Sequence, residues 1–328
     1  MKKLISIYIL LFVSSLLFSS NISLKKNITS LLNTTDIKVF DDKVVIATDG
    51  GLYYLNDNSY TVINDNLDVF SISSINHHNE TIWLNSRYHG MLQILDLNFN
   101  LVKKVDYPLF DDIFKTEFTN AFAYSIVSNE NEYSIVQYSN MDENIFYLNT
   151  FTNFNLNYNI INDLMIDDNF IYVATDNGLL TSNYNSIDES NLIFANSWNI
   201  NYENNDISHV IDSYIISNND LLNLDNSQSI YSFSEDESIV NLYSFNEMIY
   251  ILSDHSLFEY NPTTEQVIQL NKPDVYKQIF SCFYKLNDIY YFGLQNGGVL
   301  TYSDNSWNQF IPNTIFTNKY DDIVIRNN

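Results

Sequence analysis

The chain is short of cysteine, proline, glycine and positive charge. Its one cysteine, Cys282, excludes an intramolecular disulfide and a zinc site built on several thiolates. Cys282 sits in the apolar run Ile279–Tyr284, where a lone cysteine reads as a small core residue rather than a nucleophile. Seven glycines and four prolines in 328 residues exclude a collagen-like repeat and a Pro/Gly linker protein. Only 15 basic residues face 40 acidic ones, a net charge of −25. Such a field repels phosphate backbones and bare anionic membranes, which excludes nucleic acid as a partner. It suits a soluble surface, cationic partners or divalent ions. Past residue 32 no stretch keeps apolar residues at i, i+3, i+4 and i+7 for three turns, so helix is nearly absent.

What is present points to an exported β protein. Hydrophobic residues make up 45%, enough for a real core. Asparagine supplies about one residue in seven and takes over turn chemistry from glycine, because it tolerates positive φ and bonds its own backbone. At the N-terminus Lys2 and Lys3 precede an apolar run from Leu4 to Phe18, followed by Ser19, Ser20 and Asn21. That is the layout of a secretory signal. The run is short for a membrane span, which needs about 20 residues. An uncleaved signal anchor is the only span the sequence leaves open.

One unit recurs. It runs from Ile37 to Leu55 around Asp49-Gly50-Gly51, from Asn162 to Leu180 around Asp176-Asn177-Gly178, and from Cys282 to Leu300 around Asn296-Gly297-Gly298. Each copy reads as strand, polar turn, strand, Asp/Asn-Gly turn, strand, a strong hairpin signal. Gly51 and Gly178 are 127 residues apart, and Gly178 and Gly298 are 120 apart, so each gap holds three units of about 40 residues. Weaker copies fill them: Thr81–Ser86 with Gly90-Met91-Leu92, Tyr133–Tyr138 with Asn144–Tyr147, Tyr214–Ser217 with Asp220–Leu222, and Met248–Ser253 with Ser256–Phe258. Four-stranded units of this length are propeller blades. The expected fold is therefore all-β, a seven-bladed β-propeller of four-stranded antiparallel blades. A solenoid of β-turns is the alternative, but it prefers shorter, glycine-richer repeats. The first blade should place strand a at about Ile37–Phe40, b at Val44–Thr48, c at Leu52–Leu55 and d at Tyr60–Ile63. The chain divides into a signal peptide at 1–20, a lead-in at 21–35, the propeller at 36–311 and a tail at 312–328. In that tail Tyr320–Asn328 repeats the opening strand of a blade, which marks the chain as part of a longer protein or a descendant of one.

The string Ile171-Tyr-Val-Ala-Thr-Asp-Asn-Gly-Leu179 resembles the blade repeat of the two-component regulator propellers, found in exported sensor regions of bacterial hybrid histidine kinases. It is also similar to the N-terminal propeller of the PorZ group of type IX secretion surface proteins. The first resemblance implies ligand binding rather than catalysis. The second implies an envelope partner or a glycan of lipopolysaccharide type, which a charge of −25 accepts only if cations bridge it.

No enzyme signature accompanies the repeats. His77, His78, His89, His209 and His255 lack any H-E-x-x-H spacing, and no EF-hand loop, G-x-S-x-G or P-loop occurs. His77 and His78 are expected in a solvated a–b turn over Asn76–Asn79. The acid pairs Asp41-Asp42, Asp111-Asp112, Asp167-Asp168 and Asp321-Asp322 could serve glycoside hydrolysis only across a cleft, and turn chemistry explains them better. One departure stands out. Where other blades carry Asp/Asn and Gly between strands b and c, the second has Arg87-Tyr88-His89-Gly90. Arg offers a planar donor fork for carboxylate or phosphate, and Tyr a rigid contact. Asp254 and His255 in the sixth blade, and Gln295 and Asn296 in the seventh, occupy matching turns. These seven residues are the expected binding site, on one face of the ring. No cofactor, metal or catalytic residue is implied. The function read from the sequence is a non-catalytic, exported binding module of the bacterial cell envelope. A sensor-type propeller and a glycan-active propeller enzyme are the alternatives.

Overall fold

The computed structural model describes residues 29–314 apart from 57–58, 107–109, 131, 140–144 and 185–188. The expected signal sequence and the segment Tyr320–Asn328, expected to repeat a blade's opening strand, lie outside the described residues.

Seven four-stranded antiparallel sheets follow one another along the chain. Blade 1 comprises strands a to d at Thr34–Phe40, Lys43–Thr48, Gly51–Asn56 and Ser59–Val62. Blade 2 uses Ile72–His78, Thr81–Ser86, Met91–Asp96 and Leu101–Asp106. Blade 3 uses Asp112–Phe118, Phe122–Asn129, Glu132–Ser139 and Phe146–Phe151. Blade 4 uses Ile161–Ile166, Phe170–Thr175, Gly178–Asn183 and Asn199–Asn201. Blade 5 uses Ile207–Ile211, Tyr214–Ser217, Asp220–Asn223 and Ser229–Ser232. Blade 6 uses Ile239–Phe245, Met248–Ser253, Ser256–Asn261 and Gln266–Asn271. Blade 7 uses Phe280–Leu286, Ile289–Leu294, Gly298–Ser303 and Ser306–Phe310. Strand a of each blade packs on strand a of the next, and that of blade 1 packs on both blade 2 and blade 7. The ring is closed, and the chain is a seven-bladed β-propeller. Helical structure among the described residues is limited to short 3-10 turns.

The burial pattern explains the repeat. Strands b are buried almost without interruption, as in Val44–Thr48 and Ile249–Ser253, because neighbouring blades cover both faces. Their sequences are accordingly continuous apolar runs rather than alternating ones. The outermost strands alternate instead, as in Leu101–Asp106 and Gln266–Asn271, with one side open to solvent.

The string Ala-Thr-Asp-x-Gly is a turn device. Ala47 and Ala174 are fully buried between blades. Thr48 closes its turn by donating Oγ1–H to the Gly51 carbonyl (2.9 Å) and accepting from Gly50 N (3.0 Å), and Thr175 repeats both bonds with Gly178 and Asn177. The Asp176 carboxylate accepts N–H groups from Asn159 and Ile160, which fixes the entry into its own strand a. Gly51 adopts φ +121°, and a Cβ there would lie 2.0 Å from Asn64 Oδ1. Where glycine is missing, Asp and Asn take positive φ: Asp41 and Asp42 at 46° and 62°, Asn218 and Asn219 at 47° and 71°.

Two local readings are corrected. His77 and His78 end strand a rather than occupy a turn, which falls at Asn79-Glu80. His78 stacks on Phe118 (centroids 4.3 Å apart), and burial, then its neighbour His77, lowers its pKa. In blade 3, Tyr133–Tyr138 belongs to strand c, and strand b is Phe122–Asn129. Its b–c turn has no glycine to mark it.

Candidate functional site

Each strand a carries one register shift near its start, and the shift orders the whole channel. In chain order, the residues just after it are Asp36, Ser74, Lys115, Asp163, His209, Asn241 and Cys282. One comes from each blade, and all seven line a central channel of about 470 Å³.

The bulges stitch the blades together. Asp36 Oδ2 accepts the N–H of Ile75 in the next blade (2.8 Å), and Asp163 Oδ2 accepts that of Val210 (3.0 Å). At the blade 6–7 junction the acceptor is Tyr243 Oη, which receives Phe283 N–H at 3.0 Å. The bulged residue itself makes a second bridge. Ser73, Asn162 and Ser281 donate to the carbonyls of Ile113, Ile207 and Thr34 in the following blade. The last of these closes the seam between blades 7 and 1, with Thr34 Oγ1–H donating to the Gly298 carbonyl at 2.9 Å.

Charge in the channel is paired. Lys115 Nζ lies 2.8 Å from Asp163 and 3.3 Å from Glu117. Burial opposes the Lys115 ammonium, but the two carboxylates outweigh it and raise its pKa. Burial lifts the Glu117 carboxyl, and Asp163 adds to this against the pull of Lys115. Burial also lowers His209, whose Nδ1 is 4.0 Å from Asp163 Oδ2, and favours the neutral ring. Cys282 is a buried wall residue packed against Gly293, and burial pushes its thiol far up, as befits an inert cysteine.

The seven residues singled out by sequence all lie in b–c turns. Since every blade has the same strand order, b–c turns share one end of the ring. Arg87 lines the channel; the other six do not. The Arg87 guanidinium lies 3.9 Å from Asp49 Oδ1 in the first blade's turn. Tyr88 stands 69% exposed at φ 67°, its N–H held by the Asp112 carboxylate (2.8 Å). His89 is exposed beside it. In blade 6 the exposed His255 lies 3.5 Å from the Asp254 carboxylate. Gln295 and Asn296 are exposed on the adjacent blade 7. Of the acid pairs, Asp112 and Asp167 cap turn N–H groups, and Asp41-Asp42 form a hairpin turn.

Sequence reasoning missed the channel wall: Thr35, Asp36, Asn76, Lys115, Glu117, Asp163 and His209. A signal was present. Asp36, Asp163 and Asn241 each interrupt the apolar opening of strand a at the same repeat position, a polar residue where a core strand should begin.

The architecture defines a propeller with a charge-balanced channel and one face built from b–c turns. Solved structures of similar fold include PorZ of Porphyromonas gingivalis, described as an essential bacterial surface component of the type-IX secretion system, at 13% identity and TM-score 0.63 over 88% of this chain and 39% of PorZ. The extracellular domain of a putative one-component system from B. thetaiotaomicron matches at 14% identity and TM-score 0.61, over 84% of this chain and 39% of the other. The WD40 propeller domain of Doa1 matches at 12% identity and TM-score 0.59, over 85% of this chain and 96% of that domain. The chain thus spans well under half of the first two proteins. No protein-family model and no curated sequence matches it.

Proposed function

We propose that the chain is an exported, non-catalytic binding module that holds a ligand or protein partner of the bacterial cell envelope at its b–c face. The observation that carries this reading is the second blade's turn. There Arg87, Tyr88 and His89 replace the compact Asp/Asn-Gly turn, and Tyr88 stands 69% exposed next to Arg87, which lines the channel. Exposed aromatic and Arg side chains are the usual anchors of recognition. The catalytic alternative is weakened by the channel carboxylates, since Asp36 and Asp163 each spend both oxygens on backbone N–H groups. Export is supported by the signal-like N-terminus, and no helix among the described residues is long and apolar enough to cross a membrane. The PorZ likeness favours a type IX surface component within this class. The likeness to an extracellular sensor domain favours a ligand-sensing propeller.

The test is a double variant, Arg87→Ala/His255→Ala, compared with wild type for binding to a solubilised bacterial envelope fraction. Folding should be nearly unaffected, because surface-turn changes usually cost under about 0.5 kcal/mol. Binding should fall by at least about tenfold, the loss of one hot-spot contact. Undiminished binding removes these turns from the function.

A further inference from the structure

A groove of about 1010 Å³ lies over blade 3 and shares no lining residue with the central channel. Three aromatic side chains line it: Phe110 from the connection between blades 2 and 3, Tyr133 from the start of strand c, and Tyr158 from the connection between blades 3 and 4. In this strand order the d–a connections fall at the same end as the b–c turns, so the groove belongs to the b–c face. It also adjoins the turn that departs from the repeat. Gly90 N–H donates to the Asp111 carbonyl at 3.0 Å and Tyr88 N–H to the Asp112 carboxylate at 2.8 Å, and these two acids directly follow Phe110.

Two of the rings are held in place. Tyr133 stacks on Phe114, with centroids 5.7 Å and planes 20° apart. Tyr158 packs against Phe154, and its hydroxyl donates to the carbonyls of Tyr133 (3.2 Å) and Thr152 (3.4 Å), which fixes the connection against strand c. A wall that is already ordered lowers the entropic cost of binding. The polar part of the lining is amide and hydroxyl, with Asn129, Asn157 and Thr152 all exposed. Glu132 is the single charged residue among the described residues that line the groove, in a chain with 40 acidic residues. The volume stands at the top of the usual range for small-molecule pockets, about 300–1,000 Å³, so the groove suits several linked rings rather than one.

We propose that this groove binds a neutral oligosaccharide. The C–H faces of a sugar ring carry slight positive charge and settle on the negative face of an aromatic ring. Amide and hydroxyl side chains both donate and accept, as sugar hydroxyls do. An anionic glycan finds no cation in this lining, and a cationic one finds a single carboxylate. A peptide pairs along a strand edge, but of strand d only Thr150 reaches the groove. This inference rests on the binding-module reading and specifies a ligand class for the same face.

The experiment is calorimetric titration of the full chain with cellohexaose, maltohexaose, xylohexaose and mannohexaose. Hexagalacturonate is the acidic counterpart, glucose the single ring, and an uncharged Gly/Ser/Tyr peptide the protein-like competitor. At least one neutral hexasaccharide should bind, about tenfold or more tighter than hexagalacturonate, glucose or the peptide. Asn129→Ala/Asn157→Ala should weaken that binding by about tenfold or more while leaving the melting temperature nearly unchanged, because both side chains are exposed. Tyr133→Phe should bind as wild type and Tyr133→Ala should not, since the ring rather than the hydroxyl makes the contact. Glu132→Gln should leave the affinity essentially unchanged. Tighter binding of hexagalacturonate or of the peptide, or an affinity that survives the Asn129/Asn157 double variant, overturns the proposal. So does failure of every neutral hexasaccharide. If envelope binding that depends on Arg87 and His255 persists in that last case, only the ligand class is wrong; if it is absent too, the binding reading falls with it.

Discussion

Asp163 Oδ2 accepts the backbone N–H of Val210 across a blade junction, while Oδ1 pairs with Lys115 of the preceding blade at 2.8 Å. One carboxylate therefore ties blades 3, 4 and 5 together at the channel wall. Removing it leaves Lys115 with Glu117 alone and orphans the N–H groups of Leu164 and Val210. Asp163→Ala should cost about 3 kcal/mol, the lower end for a broken buried pair because Lys115 keeps 32% side-chain exposure. Asp163→Asn should cost less, as its amide oxygen still accepts one N–H. Urea unfolding measures both; a loss below about 1 kcal/mol for Asp163→Ala would mean that the bridge carries little weight.

Glu117 gives a pH-dependent effect of the opposite sign to ordinary paired acids. Burial first, with Asp163 in addition, lifts its folded pKa above the ordinary 4.5, against Lys115 and Lys38. A raised carboxyl stabilises the fold fully below its ordinary value, and that stability is lost as pH rises through the folded value. Glu117→Gln keeps the shape of the neutral form. It should raise the melting temperature at about pH 7, with the gain fading as pH falls to about 4. A gain that persists unchanged at the lower pH would contradict the assignment.

Gly293 allows blades 1 and 7 to close. A Cβ there would sit 2.4 Å from Cys282 Sγ and 2.7 Å from Thr34 Cγ2. Gly293→Ala should cost about 1–3 kcal/mol through overpacking. Adding Cys282→Ala should recover part of the loss, so that the double-mutant cycle is non-additive. Strict additivity would place the strain elsewhere.

Asn64 holds the first b–c turn from the d–a connection. It accepts from Leu52 N and donates to the Gly50 carbonyl, both at 2.8 Å, and is 2% exposed. Asn64→Ala should cost at least about 2 kcal/mol, the penalty for stranding two buried backbone groups. Asn64→Asp should keep the Leu52 bond and lose the other. Denaturant midpoints test the order wild type, Asp, Ala.

The ring was open to reading because its signals are local. Asp49-Gly50-Gly51 and its two strong copies mark hairpins whose spacing counts the blades, and Asn218-Asn219 shows why so few glycines suffice. Blade 3 shows the limit. With no glycine between Asn129 and Glu132, the repeat loses its marker and the strands were read one position late. The channel wall was hidden for another reason. Asp36 and Asp163 gain their roles from N–H groups about 40 residues away in the next blade, and pairing across a junction leaves no mark on spacing within a repeat.

The central claim is that one face of the propeller, the one bearing the b–c turns, is the working face. Photo-cross-linking in cells measures this most directly. A photoreactive residue at position 88, in the second blade's b–c turn, is compared with one at Asn287, in the seventh blade's a–b turn at the opposite end of the strands. Specific adducts from position 88 and none from position 287 are the expected result. Adducts from position 287 alone, or equal labelling from both, would contradict the account.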